Sequence, residues 1–282
     1  GLGLDQVEDD DATLDGDSAR QLVAILSLGM GQPTHIGAYT AIRRQTDEDG
    51  ATLDVQVVDV EGQYTLDLED NRSLTLAGEG AYIWGETSFG PSADFPIHTV
   101  QQLGLACRAN LDLGSYGFAF DGLYASGDDN PYDETQTAFK ADRNYPMGQL
   151  LFPVVNAAIS AQSTFHDPDH SGVPPEDLER LPTRGAVSNT IALFPRGYWQ
   201  PVPDLEIYGG ALFALSAADV IDPFNTATGG ASRNTFDAEP GGYLGTELDL
   251  GMRYQTVISG SELTLSLESA AFLPGSAFSM GS

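Results

Sequence analysis

One cysteine, Cys107, stands in 282 residues, so the chain can form neither an internal disulfide nor a Cys-rich metal site. Basic residues are scarce as well: 12 Lys+Arg face 41 Asp+Glu, a formal net charge of −29. Nucleic-acid phosphates need a basic surface, so this balance excludes a nucleic-acid partner. It also weighs against direct binding to anionic lipid headgroups and favours cations or well-hydrated loops. Long apolar runs are missing: nothing approaches the ~18 consecutive apolar residues of a membrane helix. No basic n-region with a following apolar h-region opens the chain, where Gly1 leads into the acidic run Asp5 to Asp17. The expectation is mature or trimmed material, a piece of something longer that starts inside a loop. Signatures of catalysis are lacking too. There is no Gly-x-Ser-x-Gly elbow and no phosphate-cradling loop. Of the four histidines, His35 and His98 are isolated, and Pro168 between His166 and His170 prevents a helical metal face. A protein that is not an enzyme is expected.

What the chain does have is a period of two. Leu248, Leu250, Met252 and Tyr254 alternate with Glu247, Asp249, Gly251 and Arg253, and after a tight turn at 258–261 Leu263, Leu265 and Leu267 alternate with Thr264, Ser266 and Glu268. The same grammar runs through Val58 to Leu66, Leu74 to Trp84, Leu103 to Leu111, Tyr116 to Tyr124 and Leu205 to Leu215. Leu53, Val55 and Val57 sit in the opposite phase to Val58 and Val60, which predicts a β-bulge at Val57–Val58. Fainter strands are expected at 21–29, 34–44, 149–160 and 185–200, about ten strands in all, many near the ~9–11 residues of a membrane-spanning strand.

Short turns at 69–72, 113–115, 201–204 and 258–261 alternate with long polar segments at 87–97, 127–148, 162–184 and 218–242. Aromatic residues gather at strand ends, as at Tyr82/Trp84, Tyr124 and Tyr198/Trp199. Together these features predict an all-β, antiparallel transmembrane β-barrel over residues 1–282, with short turns at one end, long loops at the other, and residues 1–18 as an acidic leading segment or loop. The expected setting is the outer membrane of a Gram-negative-type bacterium, with lipid and lipopolysaccharide outside and small hydrophilic solutes inside. The expected activity is porin-like passage of such solutes or ions. Two alternatives remain open: a structural or partner-binding barrel in an outer-membrane assembly, and a soluble secreted β-domain binding carbohydrate or calcium.

Three short motifs carry a family resemblance. Ser126-Gly127-Asp128-Asp129-Asn130-Pro131 with Asp133 and Phe139, then Gly245-Thr246-Glu247-Leu248-Asp249-Leu250, then Phe272-Leu273-Pro274-Gly275 with Phe278, resemble motifs of the alginate-export-type outer-membrane porins. The resemblance covers the second half best. It implies an eighteen-strand barrel ending in a further strand, so this chain reads as a fragment or a shortened relative. It also implies an arginine-lined pore for a polyanion, which the few arginines here do not match.

Candidate pore-lining residues follow from the alternation, because charges on the lipid face are costly. They are Asp59, Glu61, Glu79, Arg108, Asp112, Asp121, Glu206, Glu247, Asp249, Arg253 and Glu268. An acidic wall of this kind prefers cations. Its alternative reading is a set of interior ion pairs that only hold the barrel. Glu247, Asp249 and Glu268 fall on one hairpin and are expected to set selectivity together. Asp167, Asp169 and Ser171 with Gly172 resemble the first half of a calcium loop, although Leu178 stands where the bidentate Glu is needed. No cofactor is required; Ca²⁺ is a candidate ligand of this loop, of Asp128, Asp129 and Asp133, and of the Asp5–Asp17 run.

Overall fold

In the computed structural model, the described residues are 1–8, 18–47, 49–70, 72–89, 94–130, 133–142, 145, 147–156, 158, 186–222, 225–226, 230–258 and 260–281. The structure is all-β, with 63% of the described residues in strands against roughly 20–25% in an average soluble domain. Among the described residues twelve strands form one sheet: β1 Leu2–Glu8, β2 Ser18–Leu28, β3 His35–Thr46, β4 Thr52–Asp67, β5 Ser73–Thr87, β6 His98–Asp112, β7 Tyr116–Ala125, β8 Thr135–Gln136, β9 Thr190–Val202, β10 Leu205–Leu215, β11 Tyr243–Ile258 and β12 Ser261–Pro274. Each strand pairs antiparallel with its sequence neighbour, β7 passing directly to β9. The two-residue β8 lies parallel to β6 instead, against Thr99 and Val100. The expected set, about ten, missed β1, which lies in the segment read as an acidic leader, and the very short β8, and it included 149–160, which is not a strand.

The sheet is of barrel type but is not closed, as no ladder joins β1 to β12 among the described residues. Leaving out β8, the path holds eleven strands, twelve less one. An odd antiparallel path sets its two edge strands running in the same sense, so β1 and β12 have no antiparallel pairing with each other.

Register sorts side chains onto two faces. One row runs Val60–Gly80–Leu105–Tyr124–Ile191–Leu215; the neighbouring row, on the opposite face, runs Glu61–Glu79–Ala106–Leu123–Ala192–Ala214. The first face is bare and aliphatic: Leu250, Leu265 and Leu267 are 60%, 57% and 65% exposed. Charged residues of the strands reach this face only at Glu8, Arg20, Arg44, Asp54 and Glu86, all at the end of the long loops. Arg44 and Asp54 pair there at 3.1 Å. Aromatics on the bare face form two belts, with Tyr116, Trp199 and Tyr254 toward the short turns and Tyr82, Trp84 and Tyr243 toward the long loops. Tyr82 and Trp84 stack at 5.6 Å. Tyr198, expected in such a belt, points to the other face, being one residue out of phase with Trp199.

The other face is covered at the long-loop end. Met147, Leu151 and Phe152 from the β7–β9 connection pack on Leu123, Phe194 and Leu212 of the sheet, with Leu244 and Ala277 at the margin. Two expectations are corrected on this face. First, β4 has no bulge: it pairs without a break on both sides, and Leu53, Val55 and Val57 simply face the covered side, Val55 being buried. Apolar residues are tolerated on both faces where loops keep water away. Second, the strand expected at 149–160 is replaced by one turn of π-helix, Leu151–Asn156. Its β-branched, apolar run looks like a strand, but Pro153 lacks the N–H that a ladder needs.

Candidate functional site

All eleven predicted wall residues project from the covered face. The register carries the assignment across the sheet through Glu61–Glu79, Arg108–Asp121, Glu206–Arg253 and Gly251–Glu268. They do not form one ring. Asp59, Glu61 and Glu79 stand on β4 and β5, and the other eight lie on β6 to β12.

In the first group Glu61 sits directly opposite Glu79, a like-charge pairing that is unfavourable unless it is compensated. Glu61 is compensated by the Nε2 of His35 at 3.2 Å. Gly37 makes room for it, since a Cβ there would stand 2.3 Å from the Glu61 carboxylate.

The second group is built around Asp121, whose side chain is 2% exposed. It is gripped from both flanking strands, by the Arg108 guanidinium of β6 and the Arg196 guanidinium of β9. The arginines lie over aromatic rings, Arg108 at 5.8 Å from Tyr145 and Arg196 at 5.0 Å from Phe194. Burial and the nearby Asp121 carboxylate push the Tyr145 phenol above its usual pKa, so it stays neutral. Further down the wall Arg253 pairs with Glu206 at 3.7 Å and covers Tyr208 at 5.5 Å. The Tyr208 hydroxyl donates to Glu268, and Gln200 donates to Glu206 at 3.2 Å. Asp112 is committed to the β6–β7 turn, where it accepts the Gly114 N–H at 2.8 Å.

Glu247 has a different role from its neighbours. It is fully buried and accepts backbone N–H groups from Gln149, from Leu150 at 2.9 Å and from Leu151 at 2.7 Å. These are the amides at the start of the π-helix, which have no intrahelical acceptor. Gly148 sets the approach with a φ of +72°, and a Cβ there would lie 2.8 Å from both the Glu247 carboxylate and Leu212. One carboxylate of the wall thus fastens the long loop to the covered face.

Below this fastening lies a cavity of about 450 Å³, lined among others by Arg108, Arg196, Tyr198, Tyr208, Asp249 and Arg253. Arg196 and Tyr208 escaped the sequence reading, which placed Tyr198 in an aromatic belt instead of on this wall. In β9, Pro195 and Gly197 occupy the bare face while Phe194 and Tyr198 flank Arg196 on the covered one, so the apolar–polar alternation is lost. The surviving signal was an arginine in phase with Ala192 and Phe194.

The three motifs converge on the long-loop end and act as structure. Ser126 accepts the Leu103 N–H at 2.9 Å and donates to the Thr137 carbonyl at 2.6 Å. Asp128 accepts N–H groups from Asn130 at 2.9 Å and Thr137 at 3.0 Å, and Asp133 accepts the Thr135 N–H at 2.8 Å. Phe139 lies over Gly104, Glu247 holds the loop, and Phe272 meets Phe278 edge-on at 5.9 Å beside the core. Asp167, Asp169 and Ser171 lie outside the described residues, as does most of the Asp5–Asp17 run. Among the described residues no group of three or more His, Cys, Asp or Glu is arranged to hold a metal ion. No family model matches the sequence, and no curated protein matches it.

Proposed function

We propose that this chain is part of an outer-membrane β-barrel that passes small hydrophilic solutes, with a cation-preferring lumen narrowed by an inserted loop. The observation that carries the reading is the segregation of charge. The bare face is uncharged over its middle and mostly apolar there, has charges only in rows at one rim, and is bordered by two aromatic belts. A water-exposed surface has no use for that pattern, whereas a bilayer rewards it, since each charge at its midplane costs roughly 2–4 kcal/mol. The covered face carries the carboxylates and arginines, as a hydrated pathway requires. Similarity of the three motifs to the alginate-export-type porins supports the same setting, and the arginine-poor wall points to a solute other than a polyanion.

The test is reconstitution. Purified protein in planar bilayers should give discrete conductance steps and a reversal potential displaced toward that of the cation under a KCl gradient. Protein that stays monomeric in buffer without detergent would overturn the membrane reading. A second reading, a structural or partner-binding barrel, is favoured by the loop that fills one end of the covered face and by the two unpaired edge strands. Insertion without conductance, together with a partner that co-purifies after mild detergent extraction, would select it.

A further inference from the structure

Four of the five strand charges on the bare face stand in one row at the long-loop rim. Arg20 on β2, Arg44 on β3, Asp54 on β4 and Glu86 on β5 are successive register partners. The fifth, Glu8 on the edge strand β1, lies one row further out. Neighbouring strands are about 4.8 Å apart, so the row reads plus, plus, minus, minus over roughly 15 Å parallel to the rim. All four side chains are exposed. Arg20 and Arg44 stand directly opposite each other, a like-charge pairing that an anion between them relieves. Arg44 meets Asp54 at 3.1 Å, but their side chains are 75% and 55% exposed, and an ion pair so open to its surroundings is weak and easily shared with a ligand. Inward along β5, Trp84 follows Glu86 at about 7 Å, and Tyr82 stacks on it at 5.6 Å. Tyr82, Trp84, Glu86, Thr99 and Gln101 line a groove of about 510 Å³. Beyond it, exposed Val58, Val60 and Leu105 lead toward the middle of the face.

We infer that this rim holds a zwitterionic phospholipid headgroup that bears an ammonium group, of the phosphoethanolamine class. The phosphate sits at Arg20 and Arg44, the ammonium at Asp54 and Glu86. The inference rests on the reading that the bare face meets lipid. The layers match such a molecule in order: apolar residues for acyl chains, tyrosine and tryptophan at the interface where their rings settle, then charge at the level of the headgroup. Two carbons separate the phosphate ester oxygen from the ammonium, a reach close to the step of about 4.8 Å from one strand to the next. A headgroup that is only anionic satisfies the arginines but lies beside two carboxylates, and the chain's net charge of −29 adds to that repulsion. A choline headgroup has both charges but no N–H, so it cannot donate to Asp54 or Glu86, whereas an ammonium group forms charge-assisted hydrogen bonds with them.

The experiment uses Trp84 as its reporter. Trp199→Phe removes the other of the two tryptophans. The folded protein is reconstituted into phosphatidylcholine vesicles that carry equal fractions of brominated phosphatidylethanolamine, phosphatidylglycerol or phosphatidylcholine, each of which quenches a tryptophan it touches. Phosphatidylethanolamine should quench Trp84 most, with a local enrichment of about fivefold, the scale of one exposed ion pair. Asp54→Asn with Glu86→Gln keeps both arginines and should reverse the preference to phosphatidylglycerol. That reversal cannot arise from misfolding. Arg20→Gln with Arg44→Gln should bring phosphatidylethanolamine down to the level of phosphatidylcholine and make phosphatidylglycerol the poorest quencher. Glu61→Gln, on the covered face, should change nothing. A preference of the unaltered protein for phosphatidylglycerol would mark a phosphate-only site and overturn the proposal. So would equal quenching by the three lipids, or a preference unmoved in the Asp54→Asn, Glu86→Gln variant. Equal quenching keeps the membrane reading and removes the site; protein that stays outside the vesicles, with Trp84 quenched by none of them, removes both.

Discussion

The Leu151 amide donates to the Glu247 carboxylate at 2.7 Å, across 96 residues of sequence. Two further amides share that carboxylate, so the long β7–β9 connection is fastened to the wall at a single buried side chain. Glu247→Ala should orphan three backbone N–H groups and cost about 3 kcal/mol or more, each bond to a charged acceptor contributing roughly 1.5–3 kcal/mol. Hydrogen exchange should show the amides of residues 149–151 losing protection while those of central β9 and β10 keep theirs. Unchanged protection at 149–151 would show that apolar packing alone holds the loop.

Asp121 is the keystone of the arginine pair. Its replacement by Asn should destabilise by about 3–5 kcal/mol, because two partly covered guanidiniums then lack their shared anion. Arg108→Gln, which leaves Arg196 in place, should cost less. Denaturant unfolding from detergent micelles measures both, and equal losses would contradict the shared geometry.

The assignment of faces is tested by neighbours. Leu267 lies near the middle of β12 on the bare face, and Ser266 beside it faces the covered side. Leu267→Arg should cost roughly 2–4 kcal/mol in a bilayer and Ser266→Arg little. Equal effects on folding into vesicles would refute the two-face reading.

Selectivity should follow the first acidic group. Because Glu247 is taken up by the loop, the three carboxylates of the β11–β12 hairpin are not equivalent free charges. Asp59, Glu61 and Glu79 form the denser acidic cluster, with His35 beside Glu61. The combined Asp59→Asn, Glu61→Gln, Glu79→Gln variant should move the reversal potential toward zero under a KCl gradient. The difference from the unaltered protein should shrink near 1 M salt, where the Debye length is roughly 3 Å. An unmoved potential would show that other groups dominate the field.

Much of this architecture was legible in the order of the residues, because strand alternation is local. A residue's face depends only on whether its neighbours at i±2 share it, so Leu248, Leu250, Leu265 and Leu267 could be set apart from Asp249 and Glu268 without knowing any partner. Turn positions such as Gly114 were readable for the same reason, since a φ of +89° favours glycine wherever the strand goes next. The alternation failed where packing replaced water. Leu53, Val55 and Val57 imitated a bulge, and residues 149–160 imitated a strand, because an apolar side chain does not state whether lipid, loop or core will cover it.

Which residues meet was settled by the fold. Arg196 reaches Asp121 across 75 residues and Glu247 reaches Leu151 across 96, distances over which sequence periodicity carries no information. Strand alternation alone puts the acidic side chains on a shared face. Strand order and register then divided them into a fastened carboxylate, a keystone between two arginines, and a cluster left open. The division is physical: a charge taken from water must find its partner in the surrounding structure, and only the pairing of the strands and the path of one long loop brought those partners within reach.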